Sequence, residues 1–277
     1  MTGAHPQWKL VREISSFPVG DGTPRSSPIM RETRFIMGMP VTLVVLDANA
    51  SQNHLDAVFE EFVAVDNCFS PYKEDSEICR INRGEIPEAG QSPGMREVLA
   101  LCERTRLESE GFFNIARPDG FLDPCGMVKG WAIRNAARQL KRMGFENFYV
   151  DAGGDIQPGG KNENGEDWRV GIRNPFDPAE IVKVVIPKGG GVATSGSYVR
   201  GPHIYNPHTG VYGSDDIVSL TVIGPDVLEA DRYATAAFAM GREGIFFIER
   251  MAGLEGYEID AGGMARMTTG LARYLPC

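Results

Sequence analysis

The sequence predicts an α+β fold built as one large domain. Strand and helix patterns alternate without the regular βαβ rhythm of a doubly wound sheet. No repeat and no linker divides the chain, and apolar residues make up 42% of it, enough for an extensive core. Residues 1–33, rich in Pro, Gly, Ser and mixed charge, read as an irregular arm, and 34–277 as the domain.

Residues 34–46 read as a strand broken at Gly38 and Pro40. Ser51 or Asn53 then caps a helix whose Leu55, Val58, Phe59, Phe62 and Val63 recur at three- and four-residue spacing. It ends before Phe69-Ser70-Pro71-Tyr72. Ser76 opens a short capped turn, and Pro93 starts a helix with Met95, Val98, Leu99 and Cys102 on one face, closed by Gly111. The stretch 122–155 reads as a tight loop, an amphipathic helix, a strand at 147–152 and a second glycine loop. Val128, Trp131, Ala132, Ala136, Leu140 and Met143 form the apolar stripe of that helix, and Gly144 its C′ residue. Strands follow at 168–173 and 181–186. The segment from Gly189 to Gly210 is so rich in Gly and Pro that it reads as irregular. A half-buried strand at 217–223, a helix at 226–240, a short helix at 243–251 and a hairpin of 257–259 with 265–268 close the chain.

The net charge of -9 argues against nonspecific nucleic-acid binding. An anionic ligand must therefore meet local cations or a metal. The cysteines are odd in number and lack a CxxC pair, which argues against a disulfide framework or a zinc knuckle. No apolar run is long enough for a transmembrane segment, and no signal-like apolar region follows Met1. As given, the chain reads as cytoplasmic; a removed N-terminal signal would make it periplasmic or exported.

Asp123 and Lys129 sit where a loop hands over to a helix N-terminus, a place that receives anions. The plainer readings are a turn residue and a solvated charge. Asp231 and Thr235, four apart, put a carboxylate and a hydroxyl on one helix face. With a loop carbonyl they suit Mg²⁺, a hard cation that prefers oxygen, and they are expected at the surface of a site. Alone, such a pair is commonplace. Thr194-Ser195-Gly196 is an anion-binding turn or merely a turn, and His203 a base, a phosphate donor or a hydrogen-bonded loop residue. Gly153-Gly154-Asp155 does not match the dinucleotide fingerprint, and no P-loop, HExxH or GxSxG occurs.

The order of these motifs is more specific than any one of them. Phe69-Ser70-Pro71-Tyr72, Gly111-Phe112-Phe113-Asn114, Asp123-Pro124-Cys125-Gly126-Met127-Val128-Lys129-Gly130, Gly153-Gly154-Asp155, Ala193-Thr194-Ser195-Gly196, His203-Ile204-Tyr205-Asn206-Pro207-His208-Thr209-Gly210 and Ala230-Asp231-Arg232-Tyr233-Ala234-Thr235 follow one another. Together they resemble the FAD:protein FMN transferase family, also called ApbE-like proteins, from about Met37 to Gly241. The resemblance implies a single ApbE-like, T-fold-related domain with mixed sheets and flanking helices. It implies Mg²⁺-dependent transfer of FMN from FAD to a threonine of an acceptor flavoprotein, with AMP released. The alternatives are FAD hydrolysis to FMN and AMP, or FAD binding and delivery with little turnover.

By resemblance, Asp231 and Thr235 are Mg²⁺ ligands through their side chains and Gly126 through its carbonyl. Asp123 and Lys129 bind FAD. Met37, Tyr72, Phe113, Asn114, Ile115 and Ile204 match positions along the cofactor, and His203 and Asn206 fall where the acceptor hydroxyl needs a base. Three positions depart from the family pattern: Asn206 and Asn114 stand where Asp is usual, and Met39 where Thr is usual.

Overall fold

The computed structural model describes residues 29–196, 204–213 and 216–276. Its first strands, β1 (Met30–Ile36) and β2 (Met39–Val45), form a hairpin rather than one broken strand. Met37 and Gly38 both take positive φ, 56° and 71°, as a two-residue type I′ turn requires. β1 also takes in Met30 to Thr33, which the sequence assigned to the arm.

Helix α1 (Gln52–Phe69) starts at Ser51, whose backbone N–H donates to His54 Nδ1 at 3.2 Å. Val65 lies in its buried face, whereas Val63 is exposed. Ser76 caps α2 (Glu77–Asn82) and Ser92 caps α3 (Pro93–Glu108), each accepting an N–H from three residues on. The predicted stripe buries α4 (Cys125–Arg142), and Gly144 follows it at φ 90°.

β3 (Phe148–Ala152) is paired with β4 (Asp155–Gly159), a strand the sequence reading missed because Pro158 and Gly159 disguise it. The second glycine loop is the tight turn between them: Gly153 and Gly154 take φ of 62° and 96°, and Ala152 pairs with Asp155. β5 (Val170–Arg173) and β6 (Ile181–Val185) make a separate hairpin. β7 (Gly191–Gly196) lies inside the main sheet, although its glycines suggested an irregular segment. Gly191 is needed there, because a Cβ would fall 2.0 Å from Val227 N.

β8 (Tyr205–Asn206) and β9 (Val211–Tyr212) form a small hairpin before β10 (Ile217–Gly224). β10 is buried on nearly its whole length, not on alternate residues. Leu220 and Val222 face the core beneath helix α5 (Val227–Ala239), whereas Ile223 packs on the opposite face with Tyr257 and Ile259. Helix α6 (Gly244–Arg250), β11 (Glu255–Asp260) and β12 (Ala265–Met267) complete the chain.

The α+β expectation holds. One eight-stranded sheet runs β1-β2-β3-β4-β7-β10-β11-β12, and the described pairings are antiparallel where mixed sheets were expected. α1, α3 and α4 cover the first half of the sheet, and α5 and α6 the second. The halves meet at β4 and β7, which share only the Ile156 and Val192 pairing. The site is built at that seam.

Candidate active site

Helix α5 is buried all round except at Glu229 and Thr235. One cause is Arg232, whose guanidinium is fully buried. It donates to Glu108 and Glu229, each at 2.6 Å, and to Thr105 Oγ1 at 3.0 Å. Glu108 also accepts from Tyr233 Oη at 2.7 Å. These bonds fix the rotation of α5 against α3, because a buried charge left without partners costs several kcal/mol. With Arg232 held on one side, Asp231 and Thr235 are presented to α4 and the seam.

α4 and α5 approach closely at Gly130. Its N–H donates to Asp231 Oδ2 at 2.8 Å, and a Cβ at Gly130 would lie 2.8 Å from Asp231 Cβ. One turn earlier, a Cβ at Gly126 would meet Thr235 Cγ2 at 3.2 Å and Phe113 Cε2 at 3.3 Å. Gly126, Thr235 and Phe113 are therefore neighbours. Phe113 itself is buried, held by its N–H to Ser109 Oγ at 3.0 Å.

Lys129 reaches into the seam. Its Nζ lies 2.5 Å from Asp155 Oδ2 and 3.5 Å from Asp231 Oδ1, and both carboxylates are buried. Asp155 Oδ1 accepts the Thr194 N–H at 3.0 Å, which ties β4 to β7. Asp155 Oδ2 faces the ammonium without an aligned hydrogen bond. Burial pushes the Asp231 pKa above the ordinary carboxylate range; Lys129 opposes this and Asp155 adds to it. Asp231 was expected at an accessible surface, but only 2% of it is exposed. The α4 backbone comes so near that it covers the carboxylate.

The remaining positions are distributed around this cluster. Asp123 is half-buried; its N–H donates to Ile115 O at 2.8 Å and its Oδ1 accepts from Cys125 N at 3.1 Å. It shapes the entry to α4. Leu122 next to it is held by reciprocal bonds with the Asn82 side chain. Asn114 is exposed and accepts from Ala116 N, while Ile115 packs partly against the main core. Met37 packs there too, from the β1–β2 turn. That turn lies at the same end of the sheet as Asp155, since Val41 pairs with Ala152. Tyr72 stands in solvent at 90% exposure. Ile204 packs against the core under α5. His203 lies outside the described residues.

Asn206 has its side chain committed to backbone. Nδ2 donates to Ala239 O at 2.8 Å, and Oδ1 accepts from His208 N at 2.9 Å and Thr209 N at 3.3 Å. Its amide thus clamps the β8–β9 hairpin to the end of α5. His208 fastens the same hairpin elsewhere, with Nε2 3.0 Å from Glu110 O and its ring 4.3 Å from that of Phe112.

The sequence reading gave no role to Asp155 or Gly130, and it offered Thr194 as part of a turn, whereas Thr194 lies in strand β7 and its N–H goes to Asp155. Asp155 carried one signal, a carboxylate directly after a two-glycine turn. Gly130 carried none, because its closeness to α5 depends on a residue 101 positions away.

An oxygen-binding cation fits this arrangement. The donors are a buried carboxylate, a hydroxyl and a main-chain carbonyl, the type that suits Mg²⁺. The absence of a Cβ at Gly126 lets Thr235 and Phe113 approach its backbone, which brings that carbonyl-bearing residue beside the hydroxyl-bearing one.

A family model described as the ApbE family matches residues 37–119 and 116–257. The FAD:protein FMN transferase of Escherichia coli (strain K12) is 31% identical over 190 residues, which cover 62% of this chain and 54% of that protein. The chain thus spans about half the length of that curated relative. The FAD:protein FMN transferase of Vibrio cholerae serotype O1 is 27% identical over 256 residues, covering 72% and 76%. Among solved structures, the flavin transferase ApbE from Vibrio cholerae superposes with a TM-score of 0.80 at 22% identity, over 90% of this chain and all of that one. The ApbE protein from Thermotoga maritima gives 0.80 at 21% identity, with the same shares covered. The two structural likenesses share the fold, and the family model spans both halves of the seam. The chain belongs to the ApbE family.

Proposed function

We propose that this protein is an Mg²⁺-dependent FMN transferase that moves FMN from FAD to a threonine of an acceptor flavoprotein. The observation that carries the reading is the convergence of Gly126, Asp231 and Thr235 beside Lys129, in a chain of this family. The Asp231 carboxylate, the Thr235 hydroxyl and the Gly126 carbonyl would hold Mg²⁺. When bound, the ion neutralises phosphate charge and polarises phosphorus for in-line attack.

The chain's own residues do the rest. Lys129, 16% exposed at its side chain, brings a fixed positive charge to the rim of a protein whose net charge is -9. Asp123 shapes the loop against which FAD would lie, and buried Phe113 gives the cradle an apolar wall. In the transfer, the acceptor threonine oxygen forms a bond to the FMN phosphorus. The pyrophosphate P–O bond breaks, AMP leaves with the bridging oxygen, and the hydroxyl proton passes to a base. Asn206 cannot be that base, because an amide takes no proton at neutral pH and this one is already bonded to backbone. That observation favours, as a second reading, FAD binding with slow hydrolysis or little turnover.

The test incubates the full chain with FAD, Mg²⁺ and an acceptor flavoprotein. The expected result is a covalent mass gain of one FMN on the acceptor with stoichiometric AMP. AMP without the mass gain identifies a hydrolase, and neither product overturns catalysis. Asp231→Ala is expected to abolish magnesium-dependent product formation while the thermal transition persists. Undiminished turnover in that variant would remove the metal assignment.

A further inference from the structure

Asp155 lies outside the ligand set proposed above, yet it is as buried as Asp231 and shares the same ammonium. We propose that Asp155 is a positioning residue that holds Lys129 away from Asp231 and so keeps Asp231 available to a divalent cation. The inference rests on the metal reading at Asp231.

The geometry is asymmetric. Lys129 Nζ is 2.5 Å from Asp155 and 3.5 Å from Asp231. Asp155 cannot swing aside, because its second oxygen is bound to Thr194 N across the β4–β7 seam. That strand is fixed in turn, since Thr194 Oγ1 lies 2.9 Å from Thr221 Oγ1 on β10. Asp231 is oriented independently by the Gly130 N–H. The ammonium therefore has one close carboxylate and one at arm's length. In a buried setting a lysine without Asp155 would close on Asp231, since it is the nearest negative group left. It would then compete with a cation for the same oxygens.

A through-space effect of the Asp155 charge would also favour a cation, so one variant does not decide the matter. A double-mutant cycle does. Mn²⁺, a spectroscopic probe for the Mg²⁺ site, is titrated into the full-length protein without FAD, and bound metal is read by electron paramagnetic resonance. Asp155→Asn keeps an oxygen for Thr194 N and is expected to weaken Mn²⁺ binding about tenfold, a coupling typical of touching charges. Lys129→Met is expected to bind at least as tightly as wild type, because a positive charge 3.5 Å from Asp231 is removed. Adding Asp155→Asn to Lys129→Met is expected to change affinity less than about twofold, because no competitor remains.

Additive effects would show that Asp155 acts by its charge alone and would overturn the inference while leaving the metal site intact. Absence of Mn²⁺ binding to the wild-type chain would overturn the metal reading and this inference with it. Should Asp155→Asn fail to fold, Asp155→Ser takes its place in the same cycle, and additive effects overturn the inference as before.

Discussion

Gly130→Ala tests the close approach of α4 and α5 most directly. In an open helix interior this change removes a flexible residue and stabilises by about 0.5–1 kcal/mol. Here the new Cβ would sit 2.8 Å from Asp231 Cβ, 3.0 Å from its Oδ2 and 3.1 Å from Leu228 Cα. Ordinary contact begins near 3.4 Å, so the helices must part by roughly half an ångström. Overpacking of this kind costs about 1–3 kcal/mol. Stretching the Gly130 N–H bond to the buried carboxylate adds a loss, since such charge-assisted bonds are worth about 1.5–3 kcal/mol. The helix gain offsets only part, and the net expectation is destabilisation by about 1–3 kcal/mol. Urea unfolding reads this as a lower midpoint with an unchanged slope. AMP release from FAD should fall further than stability does, because Asp231 itself is displaced. Gly94→Ala is the control: its nearest neighbour is Trp131 Cη2 at 3.4 Å, so it should be neutral or stabilising. A Gly130→Ala protein that is more stable than wild type, with undiminished AMP release, would refute the close-approach argument.

Two other changes probe the buried Glu258 and the half-buried Asn206. Glu258 is fully buried on β11, neither carboxylate oxygen is hydrogen-bonded, and Arg266 Nη1 is 3.6 Å away. Burial pushes its pKa up to about 7, which the arginine only partly resists. The folded state therefore holds a proton that the unfolded chain releases near pH 4.5, and stability falls as pH rises from there to about 7. Glu258→Gln should match wild type in acid and exceed it above pH 7 by up to about 3 kcal/mol. Thermal melts at pH 4.5 and 8 check this, and a gap that does not widen with pH would sink it. Asn206→Asp restores the residue usual in the family but removes the donor to Ala239 O, leaving two acceptors face to face. A loss of about 1–3 kcal/mol is expected in urea unfolding. Unchanged stability would mean that the amide clamp contributes nothing.

Much of the architecture could be read from local pattern. Helices α1, α3 and α4 follow from three- and four-residue spacing together with Ser51, Pro93 and the glycines at 111 and 144, and α5 falls within the helix expected at 226–240. Capping and periodicity act within a few residues, so the sequence displays them. The strands that carry the site were harder to see. β4 and β7 contain Pro and Gly that local rules assign to turns, and they persist as strands because neighbours on each side supply their hydrogen bonds. The break expected at Gly38 and Pro40 is instead a tight turn at Met37-Gly38, where the β1–β2 pairing enforces a positive φ on a non-glycine residue.

The sequence by itself determined the class of fold, the helices and, through the ordered motifs, the family and a short roster of oxygen and nitrogen groups. It placed Asp231 and Thr235 on one face, because that is a property of one helix. Only the tertiary structure decided that Asp231 is buried, that Lys129 stands between two carboxylates, and that Asn206 is spent on backbone bonds. Each of these depends on contact between residues 26 to 102 positions apart in the chain, from Lys129 and Asp155 to Lys129 and Asp231. The contacts of Lys129 arise from the meeting of two half-sheets at β4 and β7, and that of Asn206 from the docking of the β8–β9 hairpin on α5; no local pattern of residues encodes where either will fall.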